Sequence, residues 1–545
     1  MRLSKYFVKT LKENPSDETS RSSTYLVRAG FIRKEVAGAY TYLPFGLKVL
    51  EKIKIIVREE MDKASLNEIL MPGLGNKESR LKTGRRDTVD VLFHLKENRE
   101  YALNSTHEEV VTPLVKEFIH SYKDLDVAVY QIQDKYRNEA RAKSGLLRGR
   151  EFWMKDAYSF HASQESFDEY YENMKEVYMN VYKRLGLGKD TVIAVADGDF
   201  TEKFSHEFQT FLEIGEDIVV MDSHYSANLE VAEEADDKNL EEEELEMEYI
   251  DAPNILTVED MRNFFSAPDW QMLKTVVFKT DSGKFFGISC RDLKVNEIKV
   301  RKFIAAKYGE SFEQATDEDL ISLDTARFVS PITQDKYENI VFFGDPSLKT
   351  VKNFIGKKKD LDIKNINLKD MCIEEWSDFV EPIEGFVAVK SKEKLQFRKA
   401  SEVGNIFPLE TKFTKAFDMT YINNKKKQEI IMCYGIGVSR LMVMAEYFSD
   451  DKLYWPEQVA PAKYIVIIRD EGEAKAEEIY KYLQDKETVI LDDRDAGPGF
   501  RMKDADLVIP YQIVVPKTLA NGENVVELID RKTTASRFGD YKEMI

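Results

Sequence analysis

The sequence predicts a multidomain protein of mixed helix and strand that ends in a small α/β domain. Three observations carry that expectation. The chain has 545 residues, more than one hydrophobic core ordinarily serves. Residues 230–248 hold eleven acidic side chains against one lysine, the composition of a solvated linker leading into an inserted domain. After about residue 460 the pattern alternates strand, helix and strand, as in a compact α/β fold.

Each element follows from its own pattern. Residues 46–64 predict an amphipathic helix, because Leu47, Leu50, Ile53, Val57 and Met61 recur at helical spacing among Lys and Glu. A short strand ending at Met71-Pro72 follows. Residues 129–136 and 148–155 predict two strands flanking a loop over 137–147. A second helix follows: Ser166 and Glu169 suggest a capping box, the stripe runs through Phe167, Tyr170, Met174, Val177, Val181 and Leu185, and Gly186 ends it. In the inserted region, Thr257 and Asp260 mark a helix start, and 275–279 and 285–289 read as strands. The C-terminal region reads as strand 464–469, helix 473–486, strand 488–492 and strands near 511–515 and 524–529.

Composition narrows the function. Hydrophobic residues make up 43% and charged residues 32%, as in a soluble globular protein. No apolar run approaches the ~18 residues of a membrane span, and the N-terminus lacks signal-peptide character. Cys290, Cys372 and Cys433 lie too far apart for a disulfide framework or a zinc site, so a reducing cytoplasm is the simplest setting. The net charge of −19 argues against non-specific nucleic-acid binding but leaves room for local basic patches.

The glycine-loop nucleotide signatures are absent, and Gly435-Ile436-Gly437 lacks the third glycine of a dinucleotide motif. There is no His-Glu-x-x-His. A bound nucleotide would therefore be held by side chains. Tyr136-Arg137-Asn138-Glu139-Ala140-Arg141, followed by Arg148-Gly149-Arg150-Glu151-Phe152, sets arginines at both ends of a strand–loop–strand beside an aromatic ring. Guanidinium forks suit phosphate or carboxylate oxygens. The same pattern also fits a solvated hairpin with surface ion pairs.

These two strands resemble motif 2 of class II aminoacyl-tRNA synthetases, specifically the bacterial prolyl type. The resemblance spans nearly the whole chain. It includes Arg28 to Lys34, Gly38 to Pro44 and the motif 1 helix up to Pro72. It continues through Thr106-His107-Glu108-Glu109, Arg150-Glu151-Phe152, Lys155 to His161 and Ser205-His206-Glu207-Phe208. Glu402-Val403-Gly404, the motif 3 stretch Cys433 to Arg440, and Trp455-Pro456 complete it.

The resemblance implies an α+β catalytic domain built on an antiparallel sheet with helices, residues 1–223 and 399–459. It implies an inserted α/β editing-like domain over 224–398 and an α/β anticodon-binding domain over 460–545. The implied activity is ATP-dependent activation of proline and its transfer to tRNA(Pro), with Mg2+ as the metal and a cytoplasmic homodimer as the working form. Arg137 would bridge the α-phosphate and the amino-acid carboxylate. Glu139 would accept from the adenine amine, Phe152 would stack on adenine, Arg440 would hold the γ-phosphate and Glu402 would bind Mg2+. Thr106 and Glu108 would receive the substrate's amino group, with His206 nearby, and Arg141 would touch the tRNA acceptor stem.

Each residue also has a plainer reading: Glu108 as a helix N-terminal acid, Arg440 as an ion-pair partner, Phe152 as core, His206 as a hydrogen-bonded structural histidine, Arg141 as solvated. Two other classes of function stay open, a paralogue with another amino acid or acceptor and an inactive RNA-binding regulator. Departures from the family motivate the first. Phe200 to Phe204 replaces a Gly-Gly-Ser, and the stretch Leu507 to Pro510 is one residue short. Asn405, Pro408 and Glu410 stand where the family has His, Gln and Gly. In the insertion, Lys279 matches a family lysine, but Gly356-Lys357-Lys358-Lys359 lacks the family's histidine and residues 327–331 replace its glycine-rich segment. All six histidines precede residue 225.

Overall fold

The protein is described by a computed structural model. It describes residues 1–545 except 17, 19, 87, 88, 90, 96–99, 141, 143, 144, 198–204, 214, 230–237, 252–257, 324–328, 333–338, 359, 360, 385, 389, 390, 424, 425, 430–434, 439, 444–454, 470, 471, 508, 509 and 516–524. These exceptions take in the departure at Phe200 to Phe204, the cap residue Thr257 and much of the acidic run.

Two compact units result. One comprises residues 1–193, 198–216 and 400–545, and the other residues 194–197 and 217–399. The second begins earlier in the chain than the expected boundary at 224.

In the first unit the helix Pro44–Lys63 opens with proline at its first turn, where a missing N–H costs nothing. Val49, Leu50, Ile53, Val57 and Met61 are buried. Each such side chain contributes about 1.5–3 kcal/mol of transfer free energy. The helix Gln164–Arg184 shares this core through Phe167, Tyr171, Met174, Tyr178 and Val181. Its cap is Ser163, whose side chain accepts from the Ser166 N–H, and not Ser166 as the sequence suggested. The Ser166 hydroxyl is used elsewhere, on Asp126 and His161. Gly186, at φ +82°, supplies the left-handed residue that ends the helix.

Both helices pack against a sheet that includes, in spatial order, Ser205–Phe211, Gln396–Ile406, Gly435–Ile436, Glu151–Phe160, Val127–Tyr136 and Asn67–Glu68. All neighbours among these are antiparallel except the last pair. The central pair runs in unbroken register from Val127↔Phe160 to Tyr136↔Glu151. The second of these strands starts later than the expected 148, because the Arg150 N–H turns away to the Gly38 carbonyl at 2.7 Å.

The C-terminal sheet of the same unit has the order Val489–Asp492, Tyr464–Ile468, Tyr511–Val515, Val525–Asp530, Ser536–Asp540. Tyr464–Ile468 is buried along its whole length and pairs in parallel on both sides, which explains its unbroken apolar run. The helices Glu473–Gln484 and Pro498–Ala505 complete it, and the second was not expected.

The second unit is built on a mixed sheet, ordered Phe312–Gln314, Leu273–Thr280, Phe285–Arg291, Ile340–Gly344, Glu375–Trp376. Its helix Glu297–Tyr308 is capped by Asn296 and closed by Gly309 at φ +67°. Phe278, Phe286, Ile288, Val300, Ile304, Phe343 and Phe379 form one of its cores. Among the described residues no helix is long and apolar enough to cross a membrane.

Candidate active site

A cleft of about 350 Å³ opens on the antiparallel sheet of the first unit. Thr106, Glu108, Arg137, Glu139, Phe152, Glu402 and Arg440 all line it. Separate elements deliver them. Arg137 ends the strand Val127–Tyr136, and its N–H closes the hairpin on the Arg150 carbonyl at 2.9 Å. Phe152 lies on the partner strand, with the Arg137 guanidinium 5.3 Å from its ring centre. Among the described residues the Arg137 side chain has no hydrogen bond or ion pair. Burial lowers its pKa, and the nearby Arg440 lowers it further, with Glu402 opposing. Arginine still keeps its charge in such a setting, so the cleft presents a cation without a direct ion pair among the described residues, with Glu402, Glu139 and Glu108 acting on it from farther away.

Arg440 is held differently. Its Nη1 donates to the Glu402 carboxylate at 2.8 Å and to the Glu402 carbonyl at 2.7 Å, and its Nε donates to the Leu147 carbonyl at 3.0 Å. The strand pairs Gly404↔Ile436 and Asn405↔Gly435 bring these segments together. Asn405 Nδ2 donates to the other Glu402 oxygen at 3.0 Å. Glu139 is gripped by Arg148, at 3.0 Å from Nε and 2.9 Å from Nη2, both to the same oxygen.

At another part of the cleft the Thr106 hydroxyl lies 2.7 and 2.6 Å from the two Glu108 oxygens. Arg85 Nη1 bridges Glu108 at 3.0 Å and Glu109 at 3.1 Å. Glu108 opens the helix Glu108–Lys116, where a carboxylate is favoured by the helix dipole. This position fits the plain reading of Glu108 as a helix N-terminal acid, and Glu108 also lines the cleft.

One expected residue is not brought into this arrangement. His206 is absent from the lining. Its ring faces Tyr171, whose hydroxyl is 2.9 Å from Nδ1, and Lys175, 3.4 Å from Nε2. Burial and then Lys175 push its pKa down to about 4. Its neighbour Glu207 lines the cleft instead, since successive strand residues face opposite sides. Arg141 lies outside the described residues.

Of the three altered positions, Asn405 lines the cleft, whereas Pro408 and Glu410 do not. Glu410 has φ +48°, a left-handed conformation that glycine adopts freely. Residue typing had not singled out Arg85, Glu207, Lys135 or Asp156. Arg85, Glu207 and Asp156 also border the cleft, but a lone Arg, a strand Glu and a strand Asp carry no distinguishing sequence signal.

The donor set suits a divalent ion only in part. Glu402 offers one carboxylate with both oxygens already accepting, so further ligands would have to come from phosphates and water, the usual arrangement for Mg2+.

Residues 90–446 match the family described as tRNA synthetase class II core domain (G, H, P, S and T), and residues 463–545 match the family described as anticodon binding domain. The chain is 38% identical over 547 residues to the Proline--tRNA ligase of Thermosipho melanesiensis, covering 97% of this chain and 96% of the relative. It is 40% identical to that of Thermotoga neapolitana, covering 97% and 94%. For that of Bacillus subtilis the identity is 38%, covering 98% and 97%.

Proposed function

The chain belongs to the class II aminoacyl-tRNA synthetases of the prolyl type, and from that premise we propose that it is a proline–tRNA ligase, joining proline to tRNA(Pro) at the expense of ATP. The observation that carries this reading is the Arg137 cation, which makes no side-chain hydrogen bond or ion pair among the described residues. It shares one cleft with the Glu402–Arg440 pair and the Thr106–Glu108 turn.

In the first step a proline carboxylate oxygen attacks the α-phosphorus of ATP. The bond to the β-phosphate oxygen breaks, and its electron pair leaves with pyrophosphate. No proton need pass to the protein, so fixed positive charge serves better than a general base. In this reading Arg137 binds α-phosphate and carboxylate together, and Arg440 binds the γ-phosphate. The Phe152 ring takes one face of adenine. The Glu139 oxygen not held by Arg148 accepts from its amine. Glu108, with Thr106, accepts from the secondary ammonium of proline. Glu402 would hold Mg2+, which when bound neutralises phosphate charge. In the second step the tRNA 3′-hydroxyl attacks the prolyl carbonyl, the bond from that carbon to the AMP phosphate oxygen breaks, and AMP leaves with the electron pair while its phosphate takes the hydroxyl proton.

The C-terminal sheet would bind the tRNA anticodon, and Arg141 the acceptor stem. The exposed apolar side chains Leu47, Ile55, Leu70 and Leu74, on and after the motif 1 helix, support a homodimer, and the working place is the cytoplasm. The inserted unit is read as a domain of the editing type that has lost its histidine. Asn405, lining the cleft, favours a second reading in which amino-acid preference has shifted. ATP–pyrophosphate exchange across the standard amino acids, then charging of total tRNA, separates the two. Proline-dependent exchange with charging of tRNA(Pro) is expected. Strong preference for another amino acid would favour the paralogue, and no exchange with any would overturn both.

A further inference from the structure

Against the amine end of the cleft, with Asp156 and Tyr158 in its lining, lies a buried polar chain that no step above uses. Lys135 is fully buried on the strand Val127–Tyr136, two residues before Arg137, so both side chains face the same side of the sheet. Its ammonium pairs with the Asp156 carboxylate at 2.7 Å and lies 2.8 Å from His107 Nδ1. An ammonium has only donors, so Nδ1 must accept. The ring proton then sits on Nε2, 3.1 Å from the Pro72 carbonyl, to which it donates.

The backbone of His107 is held as well. Its N–H donates to the Tyr158 hydroxyl at 3.2 Å, and that hydroxyl donates to Asp156 at 2.7 Å. Gln131 Nε2 adds a bond to Asp156 at 3.0 Å. His107 in turn is the cap residue of the helix that begins at Glu108, and its carbonyl accepts from Val110 and Val111 at 3.0 and 2.9 Å. Moving His107 therefore moves Glu108 and Thr106. We propose that Lys135 is a positioning residue for amino-acid activation: through His107 and Asp156 it sets the Thr106–Glu108 turn that receives the substrate ammonium. This deepens the reading of Glu108 given above and rests on it.

The electrostatics agree with the geometry. His107 is pushed down to about 4, by burial first and by Lys135 second, with Asp156 and Glu108 opposing. Asp156 is held below the usual carboxylate range by Lys135 and by the ring and hydroxyl around it, against the effect of burial. Lys135, Asp156, Tyr158 and Glu108 are thus the charged and titratable groups that His107 meets from the two strands and its own helix. Without Lys135, the ring loses its cationic neighbour and keeps Asp156 at 3.8 Å. It should then gain a proton at a higher pH and turn Nδ1 from acceptor to donor.

The test uses the full-length protein in Lys135→Met, Lys135→Arg and Lys135→Met/Asp156→Asn forms. The double variant leaves no stranded buried carboxylate and so protects against simple misfolding. Wild type is measured first: absence of proline-dependent exchange would defeat the functional reading itself, apart from the positioning role. With wild type active, Lys135→Met and the double variant should raise the KM for proline roughly 10- to 100-fold, the scale of one misplaced charge-assisted contact. The KM for ATP should stay within about 2-fold, and Lys135→Arg should recover most of the loss. Lys135→Met should also show a proline KM that worsens below about pH 6.5, the ordinary histidine value. Proline and ATP constants moving together, or neither moving, would overturn the proposal, as would a pH profile that matches wild type.

Discussion

Replacing Arg137 by alanine should separate catalysis from stability. In the free protein this guanidinium makes no side-chain hydrogen bond or ion pair among the described residues, and it stands near Arg440, which disfavours its charge. The approach to the Phe152 face, at 5.3 Å, is lost, which is worth about 0.5–1 kcal/mol, together with the longer-range attraction of Glu402, Glu139 and Glu108. Relief from burying a cation beside another offsets that. The thermal midpoint should therefore stay within a degree or two of wild type. In the reaction the same group meets two developing anionic centres, and loss of one such preorganised donor costs about 2–4 kcal/mol. At 1.36 kcal/mol per tenfold, that is roughly a 30- to 900-fold fall in the rate of adenylate formation. The assay is ATP–pyrophosphate exchange at saturating proline and ATP, beside a thermal melt. A rate within about 3-fold of wild type would remove Arg137 from the mechanism. A fall in midpoint of many degrees would show that Arg137 supports the fold, and the argument from its missing partners would fail.

Three further outcomes are expected. Glu410→Gly relieves a left-handed residue outside the cleft lining, so stability should hold or rise by up to about 1 kcal/mol, and relative exchange kinetics with proline, alanine and cysteine should not change; a shifted preference would place Glu410 in the pocket after all. Purified protein should not deacylate Ala-tRNA above the spontaneous rate, because Lys279 is tied to Asp319 at 2.7 Å and no histidine follows residue 225; rapid deacylation would refute this. His206, down at about 4 against an ordinary 6.5, stays neutral in the fold while the unfolded chain gains its proton. The stability it contributes is thus complete above about pH 6.5 and is lost as pH falls toward 4, to a limit of about 3 kcal/mol. Denaturant unfolding of His206→Gln at pH 7 and pH 4.5 should show a smaller pH effect than wild type, and an identical effect in both proteins would contradict the assigned burial.

Short-range rules made part of the fold and site legible in the residues alone. Helical spacing of Leu50, Ile53, Val57 and Met61 locates the helix Pro44–Lys63 because those side chains have only one face on which to be buried. The apolar run at Tyr464–Ile468 marks a central strand for the same reason. Motif order identified the family and named Thr106, Glu108, Arg137, Glu139, Phe152, Glu402 and Arg440, which the fold gathers in one cleft. Tertiary structure decided what depends on partners far apart in the chain. Whether His206 or Glu207 faces the cleft is a matter of strand register, which flips with a shift of one residue, and the pairing with Ile406 and Asn405 settled it. Ser163 outcompeted Ser166 as a cap because Asp126, forty positions from Ser166, claimed the other hydroxyl. The left-handed φ of Glu410 arises from a turn whose geometry no local propensity favours for glutamate. The chain from Lys135 to His107 and Asp156 joins three segments that look like ordinary surface chemistry one by one. Only their burial together makes each charge costly unless paired, and so fixes where the cleft's carboxylate stands.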